Sequence, residues 1–212
     1  MRQPSATARA RKIKLILFDV DGVLTDGKIW IFPAPAGADG RPGAAHNSAP
    51  DVALTSGPGA TGFHSASLIE AKGFHAHDGT AIMMARMAGI KTGIITKRVS
   101  ETVALRARDL KMDHIHQGIQ DKASMFQQIL KKDGITAAEA AFVGDDVIDL
   151  PAMRKCGFAI AVKNARPEVK AEAHWITSHS GGDGAARDAV EYILKSQGKW
   201  KEVFESYISQ KD

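Results

Sequence analysis

The feature that most constrains the fold is a change of character at residue 19. Residues 13–18, IKLILF, form a short apolar run with β-branched Ile13 and Ile16, the composition of a buried strand. The run stops at DVDGVLTDG, residues 19–27, where two aspartates stand one residue apart. Side chains at i and i+2 of an extended or gently turning segment point the same way, so Asp19 and Asp21 can both lean into the space beyond the strand's carboxyl end. In an open α/β sheet that space is the ligand crevice. Gly22 permits the tight turn that follows. Two carboxylates this close need a cation or a shared proton, and magnesium, a hard ion that takes oxygen ligands, suits them. Read alone, Asp-x-Asp-Gly also spells an ordinary acidic turn. It begins a calcium loop as well, but that loop joins two helices and needs acids where Val23 and Leu24 stand.

Downstream, apolar runs alternate with amphipathic segments. Strands are expected at KTGIIT, HIHQ, AAFVG, FAIAV and HWITS. Helices are expected at VSETVALRARDLK, DKASMFQQILKKDG, DLPAMRKCG, ARPEVKAEA and DGAARDAVEYILKSQG, with a terminal helix at KWKEVFESYISQ. This order predicts an α/β, Rossmann-like three-layer sandwich: a parallel central sheet, right-handed crossovers and helices on both faces. KIWIF (28–32) and SLIEAKGFHAH (67–77) read as a small β-hairpin flap beside the first strand. Asp78 is placed to cap a helix over 78–89 that ends at Gly89. Between the flap strands the composition shifts. Nineteen of the 30 residues from 33 to 62 are Gly, Pro or Ala, too little apolar surface to offset ordering entropy, so 33–66 is expected to be a flexible insertion.

The chain of 212 residues is long enough for one sizeable core. The domain is expected over 13–196, with flap 28–77, and residues 197–212 form a C-terminal helix and tail. One cysteine, Cys156, excludes an internal disulfide framework and a cysteine-rich zinc site, and reads as a small buried thiol. The formal charge of +4 invites a nucleic-acid partner, but Arg2, Arg9, Arg11, Lys12 and Lys14 crowd the first 14 residues; without them 23 basic residues face 24 acidic ones. The basicity is therefore read as a disordered, solvated tail over 1–12, with no nucleic-acid partner. No apolar run approaches the roughly 20 residues that span a bilayer and the N-terminus lacks the apolar core of a secretory signal, so a cytoplasmic protein is expected.

Three further features fall at strand ends or helix starts. Thr96 follows KTGII, where its hydroxyl can donate to a ligand or cap a helix. Lys122 opens a helix, an unfavourable place for a cation unless an anion lies nearby; otherwise it is a surface lysine. VGDDVIDLP sets Asp145, Asp146 and Asp149 directly after a buried strand, a second acidic cluster able to complete an oxygen shell with Asp19.

The ordered set — strand then DxDG, strand then Thr, Lys before a helix, strand then GDDxxD — resembles the haloacid dehalogenase superfamily. The resemblance covers roughly residues 13 to 195 without the insertion. It implies a magnesium-dependent phosphatase working through an aspartyl-phosphate. In that family's pattern Asp19 is the nucleophile, and Asp21 is the acid and base whose backbone carbonyl also binds metal. Asp145 is a metal ligand, Asp146 supports the metal through water, and Thr96 and Lys122 hold phosphoryl oxygens. Neither Asp26–Asp78 nor Thr96–Lys122 leaves room for a folded cap domain. DVDGVLTDG, HQG..DK, VGDDVIDLPAM and GG.GAARD are similar to the capless 3-deoxy-D-manno-octulosonate 8-phosphate (KDO 8-phosphate) phosphatase family, which serves lipopolysaccharide synthesis and forms homotetramers.

That resemblance implies substrate contacts at Asp21, His75, His77, Asp78, Gly79, Arg98, Arg106 and Lys122, with the arginines suited to a sugar carboxylate. This chain departs from the family at Lys97, at His77 and at Met83, the last two replacing pocket arginines, which keeps a nine-carbon sugar-acid 9-phosphate open as the substrate. A phosphotransferase is a further alternative, though such enzymes usually need a cap to exclude water. His75 and His77, at i and i+2, could face one side together and hold a second metal. Trp200, Val203, Phe204, Tyr207 and Ile208 fall near helical spacing, a stripe that docks on its own core or on a neighbouring subunit.

Overall fold

The structure, a computed structural model, describes residues 4–33 and 68–209. Six parallel strands make the central sheet, in the order β5–β4–β1–β6–β7–β8. They are β1 (Leu15–Phe18), β4 (Lys91–Ile95), β5 (His114–His116), β6 (Ala140–Gly144), β7 (Phe158–Ala161) and β8 (Trp175–Ile176). β1 lies between β4 and β6, pairing Leu15 with Lys91 on one side and with Ala140 on the other. The chain leaves β1 toward β4 and β5, then crosses back to β6. The strand order therefore reverses beside β1, which opens a crevice at its carboxyl end. All four residues of β1 and all five of β6 are buried, as a strand covered on both faces requires.

The connecting helices are α2 (Ala76–Met87), α3 (Glu101–Asp109), α4 (Lys122–Asp133), α5 (Leu150–Met153), α6 (Pro167–Glu172) and α7 (Ala185–Ser196), followed by α8 (Trp200–Ile208). α7 buries Ala185, Ala186, Ala189, Val190, Ile193 and Leu194, a single stripe at helical spacing. α4 ends at Gly134 in the left-handed conformation, φ 65°, the expected glycine stop. In α8, Val203 is buried and Trp200 and Tyr207 pack on the chain's own core, while Phe204 and Ile208 stay exposed. Cys156 is buried, its thiol pushed up to about 12, chiefly by burial.

Two expectations are corrected. Residues 6–10 form a helix, α1 (Ala6–Ala10), where a disordered tail over 1–12 was expected. Ser5 caps it by accepting from Ala8 N, and Ala10 is fully buried. Arg9 donates to Gly157 O at 2.8 Å and Arg11 to Ser196 O at 3.2 Å, so the basic residues serve carbonyls beyond α5 and at the end of α7. Alanine at 6, 8 and 10 supplies the helix propensity. The second correction concerns α2. It begins at Ala76 with His75 as its cap, so Asp78 lies inside the first turn and does not cap it.

The hairpin flap is present but shorter than expected: residues 72–77 are not part of its second strand, and 76–77 belong to α2. β2 (Trp30–Pro33) pairs antiparallel with β3 (Leu68–Ala71), in register Trp30 to Ala71 and Pro33 to Leu68. Residues 34–67 join the two strands and lie outside the described residues, and so does the expected flexible insertion apart from Pro33. Residues 1–3 and 210–212 are likewise outside them. Among the described residues no helix is long and apolar enough to cross a membrane.

Candidate active site

Asp19 continues directly from β1, its N–H donating to Val143 O of β6 at 3.0 Å. Asp145 follows β6, Thr96 follows β4, and Lys122 opens α4 after β5. The four residues therefore converge at the carboxyl ends of adjacent strands, where Asp19, Thr96 and Lys122 are each more than 95% buried. Thr96 does not cap a helix: Ser100 precedes α3, and Thr96 is fixed through its backbone to His116 O and Ile119 N.

Lys122 is the electrostatic centre. Its Nζ lies 2.8 Å from Asp19 Oδ1 and 2.7 Å from Asp149 Oδ1. Burial would lower the pKa of this ammonium, but the two carboxylates outweigh it and hold it above the ordinary lysine value. The anion that a cation at a helix start calls for is therefore present twice. Asp149 was grouped with the acidic cluster from sequence but given no role, and it is fully buried and saturated with partners. One oxygen takes Lys122, and the other accepts the N–H groups of Asp145 and Asp146 at 3.0 and 3.3 Å. It fastens the GDD turn to the lysine.

The oxygens of Asp19, Asp145 and Asp149 approach within 4.8 Å of one another. Asp145 Oδ1 is buried without a hydrogen-bond partner. Burial, then the charges of Asp149, Asp19 and Asp146, push Asp145 up to about 8; burial, then Asp149, raise Asp19 to about 6 against the pull of Lys122. Two carboxylates pushed toward protonation beside an orphaned carboxylate oxygen make a site suited to a further cation. The donor set is all oxygen, which fits magnesium. Asp19 and Asp145 have the free ligand capacity. Asp146 turns away in this geometry: its Oδ1 accepts from Val147 N at 2.7 Å and caps the short helical turn at 147–149.

The turn after Asp19 is shaped for close approach. Gly22 has φ +88°, and a Cβ there would collide with Asp145 Oδ2. Gly181 packs on the Gly22 carbonyl, and Asn164 bridges the two loops, donating to Gly22 O at 3.2 Å and accepting from Gly181 N at 2.7 Å. The glycine pair at 181–182 thus admits the chain's own DxDG turn.

Asp21 points elsewhere than Asp19. Its Oδ1 contacts Lys72 Nζ and its Oδ2 lies 3.7 Å from Arg98 Nε. Arg98 also donates to Glu70 Oε2 at 2.9 Å. Lys72 and Glu70 come from the flap and were not singled out in the sequence; their one signal is the i, i+2 spacing that puts both on one face of a strand.

The remaining expected substrate contacts sit at the base of the flap. His75 Nδ1 accepts from His77 N, and the two rings meet edge to face at 4.7 Å; among the described residues no metal-binding group includes them. Asp78 is 3% exposed and accepts from Arg187 N at 2.8 Å. It caps α7 from outside, because Gly184 has no side chain to do so. Burial raises its pKa. Gly79 is covered by the guanidinium of Arg106, which also pairs with Asp109 at 2.7 Å. Met83 is exposed.

Residues 81–187 match the haloacid dehalogenase-like hydrolase family. The 3-deoxy-D-manno-octulosonate 8-phosphate phosphatase KdsC of Escherichia coli K12 is 33% identical over 196 residues, 92% of this chain and 87% of that protein. The chain belongs to the haloacid dehalogenase-like hydrolases. Within them it groups with phosphatases, and it is a phosphoric monoester hydrolase. KdsC of Salmonella typhimurium is also 33% identical, over 94% of this chain and 89% of its own length. The crystal structure of the Moraxella catarrhalis 3-deoxy-D-manno-octulosonate 8-phosphate phosphatase, in complex with magnesium, phosphate and KDO, superposes with TM-score 0.76 at 32% identity. The match covers 95% of this chain and 97% of that one.

Proposed function

We propose that this chain is a magnesium-dependent phosphatase that hydrolyses 3-deoxy-D-manno-octulosonate 8-phosphate to the sugar acid and phosphate, as its relatives' names describe for them. The observation that carries the reading is the Asp19–Lys122–Asp149 bridge beside the unpartnered Asp145 oxygen, at the carboxyl end of the central strand. Asp19 attacks phosphorus and becomes phosphorylated, while Asp21 protonates the departing sugar oxygen and then takes a proton from the water that cleaves the intermediate. Lys122 orients Asp19 and neutralises phosphoryl charge, and Thr96 holds a phosphoryl oxygen. Asp19, Asp145 and the Asp21 carbonyl would hold magnesium, with Asp146 acting through water; the ion supplies charge neutralisation of the phosphoryl group. In this reading Arg98, whose guanidinium lies between Glu70 and Asp21, takes the sugar carboxylate.

The exposed flap residues Trp30, Ile31, Phe32 and Ile69 on a two-stranded ribbon support a homotetramer in which flaps cover neighbouring sites. The protein is placed in the cytoplasm by this reading, in lipopolysaccharide synthesis. A nine-carbon sugar-acid 9-phosphate is the second substrate reading, favoured by exposed Met83 and His77 where the family carries arginines. The test is phosphate release from both sugar-acid phosphates and an aryl phosphate, with magnesium and with chelator. The eight-carbon substrate should lead in kcat/KM by at least about tenfold, a 1.4 kcal/mol preference. Equal or better turnover of the nine-carbon ester would transfer the assignment, and undiminished activity in chelator would remove magnesium from it.

A further inference from the structure

The phosphatase reading leaves one buried charge without a task. Lys72 follows β3, its side chain is completely inaccessible, and its Nζ touches Asp21 Oδ1 and lies 3.9 Å from Glu70 Oε1. Its ammonium is directed at Asp21. A methionine would fill the same space without removing a charge from water, so packing alone does not call for lysine here. The ion pair with Asp21 does.

The surrounding geometry gives that pair a direction. Glu70 and Lys72 stand two residues apart and reach toward Arg98 and Asp21, while Ile69 is 42% exposed. Glu70 holds Arg98 at 2.9 Å, and Arg98 in turn places Nε 3.7 Å from the second Asp21 oxygen. Both oxygens of Asp21 are thus approached by cations, one from the flap and one from the loop after β4. The Lys72 contact restrains the carboxylate at one oxygen, and the Arg98 guanidinium faces the other at ion-pair distance without a hydrogen bond. The flap is joined to the DxDG turn through Lys72 and to the 96–98 loop through Glu70.

Resting on the phosphatase reading, we propose that Lys72 is a positioning residue that acts through Asp21: the flap lysine aims the carboxylate that exchanges protons with the leaving group and with water. In the first half-reaction the Asp19 oxygen bonds to phosphorus, the bridging P–O bond breaks, and the departing oxygen takes the Asp21 proton. In the second, water bonds to phosphorus and returns a proton to Asp21 as the Asp19–phosphorus bond breaks. A misaimed Asp21 slows both steps. An aryl phosphate whose leaving group departs as a stable anion needs no proton in the first step, so with it only the second is slowed.

The experiment compares Lys72→Met, Lys72→Arg, Asp21→Asn and the double variant Lys72→Met/Asp21→Asn, each loaded with magnesium. Substrates are 3-deoxy-D-manno-octulosonate 8-phosphate and p-nitrophenyl phosphate. Lys72→Met should lower kcat on the sugar phosphate about 10²-fold, at the lower end of general acid–base contributions, with KM changed less than about threefold. On p-nitrophenyl phosphate it should show a burst of nitrophenol equal to the enzyme concentration, followed by a slow phase. Lys72→Arg, which keeps the charge, should regain at least about tenfold, and the double variant should be no worse than Asp21→Asn alone. Parent-like kcat in Lys72→Met, absence of a burst, or additive losses in the double variant would overturn the proposal. So would failure of both Lys72 variants to show a cooperative thermal transition, which would make Lys72 a brace. A parent protein that turns over neither substrate would instead overturn the phosphatase reading itself.

Discussion

Asp145→Asn should stabilise the metal-free protein while abolishing its activity. In the folded chain the Asp145 carboxyl is pushed from 3.8 to about 8, by burial first and then by Asp149, Asp19 and Asp146. A raised folded-state pKa favours the protonated form. The corresponding stability is fully present below about pH 4 and is lost as pH rises through about 8. Each pH unit in that window costs about 1.4 kcal/mol, an upper limit near 5 kcal/mol at pH 8. Asp145 is partly exposed and its titration is shared with Asp19, so about 2 kcal/mol is the discounted expectation. Asparagine has the same shape and no charge to ionise. In chelator at pH 8, Asp145→Asn should therefore unfold roughly 4–8 °C above the parent, given about 2–4 °C per kcal/mol for a chain of this size. At pH 5 the gap should shrink to about a third. Magnesium should raise the parent's midpoint at pH 8 and leave the variant nearly unmoved, because binding to the folded state alone stabilises it. Thermal melts followed by circular dichroism at pH 5, 6.5 and 8, with chelator or magnesium, decide the matter. A variant less stable than the parent at pH 8 in chelator, or a gap independent of pH, would refute the view that these acids are held together against their charge.

Asp149→Ala removes a fully buried carboxylate that serves Lys122 and two backbone N–H groups; it should cost about 3–5 kcal/mol in urea unfolding, and a loss below about 1 kcal/mol would contradict that assignment. Asp19→Asn should keep a parent-like circular dichroism spectrum and lose all measurable phosphate release, since an amide does not attack phosphorus; residual turnover within about tenfold of the parent would exclude Asp19 as nucleophile. Arg98→Ala should raise KM for a sugar-acid phosphate by about tenfold or more and for an aryl phosphate much less, and equal losses would place Arg98 on phosphate or in the Glu70 pair alone. Light scattering at micromolar concentration should give four times the 22.7 kDa chain mass, and a fully active monomer would refute flap-mediated assembly.

Much of this fold was legible because its signals are local. β1, β6 and β7 are short apolar runs, and Gly134 punctuates α4 where the pattern predicts a stop. Asp19, Thr96, Lys122 and Asp145 were legible for a related reason: each directly follows a strand or opens a helix, and a parallel sheet brings those positions to one edge. The unread parts depend on partners far away in the chain. Asp78 looks like the cap of its own helix, yet it serves α7, accepting from the N–H of Arg187, 109 positions further along the chain. Arg9 and Arg11 look like a solvated arm because nothing nearby announces the carbonyls of Gly157 and Ser196. Lys72, in EAKGF, has the spelling of a hairpin surface residue, and only the closing of the flap onto the DxDG turn buries it.

Charge compensation ties these residues into one design. Around the carboxyl end of β1 stand the acids Asp19, Asp21, Glu70, Asp145, Asp146 and Asp149, against the cations Lys72, Arg98 and Lys122. The cations are committed: Lys122 is shared by Asp19 and Asp149, while Lys72 and Arg98 are shared by Asp21 and Glu70. Asp145 and Asp146 are in none of these ion pairs, and of the two Asp145 has the orphaned oxygen and the carboxyl pushed to about 8. A phosphate ester would add negative charge to a cleft that already has an excess of it. One divalent cation on Asp19 and Asp145 would offset most of that excess, so the same deficit that destabilises the metal-free protein at high pH favours the cofactor that an anionic substrate requires.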